Sequence, residues 1–357
     1  MSEQAPQNPL HTLRVIEFEG IGPGPLAGLM LASLGAQVTV ISRPVPQQIM
    51  REFGGDHGEN PLRRNKQVIP LDLKTAAGVT RALELIAGAD ALIEANRPGV
   101  MERLGLGPAE CAARNPRLVY GRMTGWGQTG PLSQSAGHDL NYLALTGLLS
   151  LSARPGEAPI VPPTVMGDAT GALGLCFGIV SAVLDARATG RGRVVDAAIV
   201  DVVAMLGTIV QLARSSGQID GARPSPFHDS PFYDSYVCAD GRFITIGALE
   251  NQFYTLLLAK LGLSDVDPAS QYDRTEWPGL KRRFTDLFAS RARDHWCDLL
   301  EGTDACFAPV LSIAEAVGHP HAKARGIYTE TSSGLIEAAP APRFSDLDLT
   351  DKPDHRQ

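Results

Sequence analysis

The pattern that most narrows what this chain can fold into lies near its N-terminus. A short apolar stretch, Arg14–Phe18 (RVIEF), is followed by GIGPGP, by the apolar run LAGLMLASLG, and by a second short stretch, QVTVI, at residues 37–41. Strand-length runs flanking a helix-length run, joined by glycine and proline, read as a β–turn–α–β unit. Such units build parallel sheets with helices on both faces. Further strands are expected at residues 67–71, 91–93 and 118–120, alternating with helical runs such as 76–86. The expected fold class is therefore α/β, with a doubly wound, mostly parallel Rossmann-like sheet.

The glycines of the first turn suggest a dinucleotide fingerprint, but the fit is poor. Gly22, Gly24 and Gly28 are spaced G-x-G-x-x-x-G, and Pro23 and Pro25 remove amides that would otherwise donate to a pyrophosphate. The second strand runs into Ser42–Arg43, with no acidic residue for a ribose hydroxyl. A nicotinamide cofactor is disfavoured.

Composition limits the remaining classes. With 357 residues the chain is expected to form two domains, and 44% hydrophobic with 20% charged residues is ordinary for a globular protein. A net charge of −7 argues against a nucleic-acid or anionic-membrane surface. Cys111, Cys176, Cys238, Cys297 and Cys306 are scattered and form no C-x-x-C pair, so no metal site or disulfide framework is expected, and a reducing compartment fits. The polar start MSEQAPQNPLHT lacks the apolar core of a signal peptide, no run of 18 uninterrupted apolar residues suggests a membrane span, and DHRQ is not a peroxisomal address. Cytoplasm is the expected location.

Two ionisable side chains, His138 and Asp168, stand at the starts of apolar helical runs, each preceded by a glycine, Gly137 and Gly167. A glycine-led turn at a helix start can present a side chain to a cleft, and the free amides of that end can stabilise an anion. Plainer readings stand beside this one. Asp168 has the character of a helix N-cap, Asp139 could cap the helix expected at 140–150, and a histidine beside an apolar run is often a packing residue.

The stretch from residue 120 to 174 resembles the racemase branch of the family III CoA-transferase superfamily, the α-methylacyl-CoA racemases. The residues that carry the resemblance are Gly125–Trp126–Gly127–Gln128–Thr129–Gly130, then Gly137–His138–Asp139–Leu140–Asn141–Tyr142, then Gly167–Asp168. The similarity extends from about residue 13 to 342. It implies inversion of the α-carbon of 2-methylacyl-CoA thioesters, with His138 and Asp168 as the acid/base pair. Glu250, in Gly247–Ala248–Leu249–Glu250, would reach the histidine from the other subunit of an interlocked homodimer; as a residue alone, it reads equally as a helix-start carboxylate. Arg43 resembles the family's adenine-end arginine, Leu71–Asp72–Leu73–Lys74 its CoA-contacting segment, and Arg97 its phosphate-binding arginine, although Lys74 and Arg97 also read as solvated charges. Gly137, Asp139, Leu140, Asn141 and Tyr142 would surround the thioester, with the Asp139 N–H the first candidate to meet an enolate oxygen. No metal or resident cofactor is implied, because CoA arrives as part of the substrate.

By the same resemblance, residues 1–200 form the large domain, completed by 325–357; residues 201–230 form a linker and 231–324 a smaller α+β domain. Within that domain RFITIG at 242–247 reads as a strand. The family's Leu-Asp-Gly-Gly-Ala-Pro-Phe-Tyr run is shortened here to Phe227–His228–Asp229–Ser230–Pro231–Phe232–Tyr233, which bears on acyl preference. Within the superfamily, CoA-transferases use the aspartate at the Asp168 position as a nucleophile and lack a histidine at the His138 position. An acyl-CoA-binding protein without catalysis would have no use for His138, Asp168 and Glu250 together.

Overall fold

The structure is a computed structural model, described for residues 8–45, 60–154, 156–219, 223–331 and 334–345. Residues 1–7 of the polar N-terminal segment and the terminal DHRQ fall outside that set. The chain divides into two compact units, one of residues 1–206 with 339–357, the other of residues 207–338.

The first unit is built on a six-stranded parallel sheet: β1 (Arg14–Phe18), β2 (Gln37–Ser42), β3 (Lys66–Pro70), β4 (Ala91–Glu94), β5 (Val119–Thr124) and β6 (Val194–Ala198), in the order β3-β2-β1-β4-β5-β6. Its helices are α1 (Pro23–Ser33), α2 (Ala76–Ala87), α3 (Val100–Arg103), α4 (Pro108–Arg114), α5 (Asp139–Leu145), α6 (Asp168–Thr189) and α7 (Ile199–Leu206). Alternate residues of each strand face opposite sides. Val15, Ile93 and Val119 pack with Leu31, Leu175 and Ile179 in one core. Ile16, Leu92 and Tyr120 pack with Ile86, Met101 and Leu106 in the other. Each large apolar side chain so removed from water stabilises the fold by roughly 1.5–3 kcal/mol.

Gly28 has a structural purpose. A Cβ there would lie 1.8 Å from Glu17 Oε2 and 2.9 Å from Lys66 Nζ. Those two buried groups pair at 2.6 Å, and Lys66 also donates to the Pro25 carbonyl at 2.8 Å. Burial pushes the Glu17 carboxyl up to about 7 against the pull of Lys66. The pair ties β1 and β3 to the first turn of α1, and so holds the glycine–proline turn in place.

Helix α6 is long and apolar enough to cross a membrane, and one side of it packs on α1, β5 and β6. Gly171, Gly174 and Gly178 let α7 and β6 approach: a Cβ at each would meet Ile199, Val202 and Val195 at 2.7, 2.6 and 2.6 Å. The helix expected over 140–150 is shorter. It stops at Leu145, and Gly147, at φ +81°, turns the chain into a 3-10 segment, Leu148–Ser152.

The second unit holds α8 (Thr208–Ser215) and an antiparallel sheet of β7 (Tyr233–Val237), β8 (Phe243–Gly247) and β9 (Phe307–Val310). It continues with α9 (Asn251–Lys260), α10 (Trp277–Phe288), α11 (Arg293–Leu300), α12 (Ile313–Gly318), α13 (Pro320–Arg325) and a hairpin of β10 (Tyr328–Glu330) with β11 (Ile336–Ala338). Phe232, Tyr236, Ile244, Ile246, Trp277, Phe284 and Phe288 form its core. The boundaries expected at 200 and 324 fall at 206 and 338, because α7 packs on α6 of the first unit, while α8 and the β10–β11 hairpin cluster with the second.

Candidate active site

A cavity of about 710 Å³ opens in the first unit at the carboxyl ends of β1, β4 and β5. Its walls include Gly20–Pro23 after β1, Ala95–Pro98 after β4, and Thr124–Trp126 at and beyond the end of β5. β1 and β4 are the neighbours at which the strand order reverses, the position where α/β sheets open a ligand crevice. His138, Tyr142 and Asp168 also line it, together with Asn60–Leu62 and Ser133.

His138 is the N-cap residue of α5, with extended backbone (φ −133°, ψ 173°); its N–H donates to Asn141 Oδ1 at 3.0 Å. Asp168 is the first residue of α6. The two groups are close enough to interact electrostatically. The Asp168 carboxyl is pushed up to about 6, first by burial and then by the negative charge of Asp139, with His138 pulling the other way. Gly22, at φ +68°, leaves room for this carboxyl: a Cβ there would sit 3.1 Å from Asp168 Oδ2.

The glycines around the site are set by two aromatic rings. Trp126 and Tyr142 meet edge to face at 4.7 Å, and the Tyr142 hydroxyl donates to the Gly137 carbonyl. A Cβ at Gly125 would lie 1.9 Å from the Tyr142 ring, and one at Gly137 would meet both rings at 2.8 Å.

Asp139 differs from the expectation that it caps its own helix. Its buried carboxylate instead accepts the N–H groups of Gly167 and Asp168, each at 2.8 Å to Oδ2, and so caps α6. The donors lie 28 and 29 residues further along the chain, so only the tertiary fold brings them to it.

Of the sequence-derived candidates, the cavity brings together Arg97, Gly137, His138, Tyr142 and Asp168. Arg97 is exposed, and its loop is held by the buried Glu94, which accepts the Asn96 N–H at 2.7 Å and pairs with Arg122 at 3.0 Å. Asp139, Leu140 and Asn141, on α5, lie outside the lining. Arg43 and Leu71–Lys74 also lie outside it, at the carboxyl ends of β2 and β3 on the same edge of the sheet. Arg43 donates its N–H to Glu19, and Asp72 accepts the Lys74 N–H in the turn before α2. Glu250 belongs to the second unit. It stands exposed at the start of α9, where its side chain makes no capping hydrogen bond. Asn96 and Thr124 line the cavity without having been singled out; their signal was position, at or just beyond the end of a strand in a parallel sheet.

A crevice at the switch point of a parallel sheet, with Arg97, His138 and Asp168 in its lining, is where α/β proteins of this class bind their ligands. The chain belongs to CoA-transferase family III, whose sequence profile matches residues 10–354. It is 40% identical over 339 residues to the α-methylacyl-CoA racemase of Mus musculus, covering 94% of this chain and 86% of that one. With the α-methylacyl-CoA racemase of Homo sapiens it shares 38% identity, covering 93% and 86% of the two chains. Among solved structures, a CAIB/BAIF family protein from Brucella suis superposes with a TM-score of 0.80 at 25% identity, covering 96% of this chain and 94% of that one.

Proposed function

We propose that the chain inverts the α-carbon of 2-methylacyl-CoA thioesters by proton transfer through an enolate. The observation that carries this reading is that His138 and Asp168 line the same cavity, with the carboxyl raised to about 6. One member removes the α-proton from one face, leaving its electron pair in the enolate. The conjugate acid of the other delivers a proton to the opposite face, and the reverse reaction exchanges the roles. A carboxyl titrating near 6 serves in both forms near neutral pH, as such an exchange requires.

The enolate oxygen is met by first-turn amides of α5, Asp139 N–H foremost, since helix-start amides lack intrahelical acceptors. Arg97 holds a CoA phosphate at the cavity wall, while Arg43 and Leu71–Lys74 extend the nucleotide site along the sheet edge. Binding energy from that remote part positions the reacting carbon. Gly137 and Tyr142 complete the CoA-ester site from its lining, and Leu140 and Asn141 support it from α5. CoA enters with the substrate, and no resident cofactor takes part. The enzyme works as a cytoplasmic homodimer in which the partner subunit's Glu250 orients His138. An apolar face supports association: Leu173, Phe177 and Leu184 of α6 are 52%, 72% and 65% exposed on one side of that helix.

The competing reading in the same family makes Asp168 a nucleophile that forms an acyl-enzyme anhydride. His138 beside it favours racemisation, because a nucleophilic carboxylate has no use for a second base across the carbon. Deuterium uptake at the α-carbon in D₂O, with loss of optical activity, tests the proposal. Acyl transfer to a free acid without α-exchange would establish the transferase.

A further inference from the structure

We propose that the Asp139 side chain is a positioning residue for proton transfer, holding the two helix starts that carry His138 and Asp168 in register. The inference deepens the racemase reading and rests on it. Asp139 is the first residue of α5, directly after His138, and its Oδ2 takes both opening amides at the start of α6. One carboxylate thus joins the backbone beside His138 to the backbone of Asp168. Gly167 permits the contact, since a Cβ there would lie 3.0 Å from Asp139 Oδ2 and 3.1 Å from its carboxyl carbon.

The second observation is the other oxygen. Asp139 is 5% exposed, and its Oδ1 is buried with no hydrogen-bond partner among the described residues. A buried carboxylate with one oxygen left unsatisfied is costly. An asparagine would cap α6 with the same geometry and bury no charge, but its amide N–H groups would stand unpaired where Oδ1 now lies. What the carboxylate adds is its charge, and the Asp168 carboxyl feels it. The other charged and titratable groups facing that carboxyl are His138 and Tyr142 from α5, with Arg97 acting on Tyr142 from the loop after β4. Asp139 adds to burial in raising the proton affinity of Asp168, and the hydrogen bonds that fix its place also aim Asp168.

Two variants separate geometry from charge. Asp139→Asn keeps an oxygen acceptor for both amides and removes the charge. The acid limb of α-deuteration should move to lower pH by about 0.5–1 unit, with KM for the CoA ester unchanged. Asp139→Ala removes the cap as well, and kcat should fall about a hundredfold while KM holds. A merely structural cap would lower the melting temperature in Asp139→Ala and leave the acid limb of Asp139→Asn where it was. An unmoved limb in a folded Asn variant overturns the proposal, as does an Ala variant within twofold of the parent kcat.

A third check needs no variant. In the unaltered chain the Gly167 and Asp168 amides should be protected from hydrogen exchange, and unprotected amides would overturn the link. Following the Asp168 carboxyl by ¹³C NMR in parent and Asn variant involves no turnover. A shifted midpoint without α-exchange in the parent would keep the Asp139–Asp168 coupling and reject the racemase reading. Normal α-exchange with an unmoved midpoint would reject the coupling alone.

Discussion

Asp168 is held between two opposing influences: burial and Asp139 raise its proton affinity, and His138 lowers it. The carboxylate is the base form, so with a midpoint at about 6 that form disappears as pH falls through 6. Turnover of the enantiomer for which Asp168 is the base should therefore decline below about pH 6, and turnover of the opposite enantiomer, for which it is the acid, should decline above it. Initial α-deuteration rates for the two pure enantiomers across this range check the prediction; identical profiles would contradict it. Replacing Asp168 by Asn or His138 by Ala should reduce turnover about 10²–10⁴-fold while CoA affinity persists, as read by single-turnover kinetics beside equilibrium binding of CoA. At this scale the sequence was legible only in part. The glycine-led helix starts alone left His138 and Asp168 readable as a packing residue and a cap, and the family resemblance singled them out, whereas the cap formed by Asp139 spans 28 residues of chain and left no local trace.

Among the elements, α6 carries the most. It presents Asp168 at its first residue, packs its glycine side on α7 and β6, and fills the core with Leu175 and Ile179. Gly174→Ala would place a methyl group 2.6 Å from both branches of Val202, an overpacking expected to cost about 1–3 kcal/mol. Urea denaturation measures this, and unchanged stability would mean that α6 and α7 are not so closely set. The glycines of α6 gave no warning of this contact, since the same residues would weaken any helix. The β–turn–α–β unit was legible because its periods are short, and β1, α1 and β2 fall where the apolar runs place them. Strand order is a different matter: β6 pairs with β5 across some 70 intervening residues, and no pattern of apolar residues encodes that neighbour.

For the whole molecule, the exposed apolar side of α6 is the feature that a lone chain leaves unexplained. Phe177→Asp, at a position 72% exposed, should leave the monomer fold intact and weaken self-association, which sedimentation velocity reads directly. A parent chain that is monomeric and fully active at assay concentration would remove both the dimer and the shared role of Glu250. The central claim is narrower: two side chains of one cavity move a proton from one face of a carbon beside a thioester and to the other. It is tested most directly by incubating a single enantiomer of a 2-methylacyl-CoA in D₂O and following the α-carbon by NMR. The account predicts deuterium at that carbon with loss of optical activity, and racemisation slowed about 10²–10⁴-fold in His138→Ala and Asp168→Asn. Full retention of α-hydrogen and configuration, with the acyl group passing to a free acid, would contradict it.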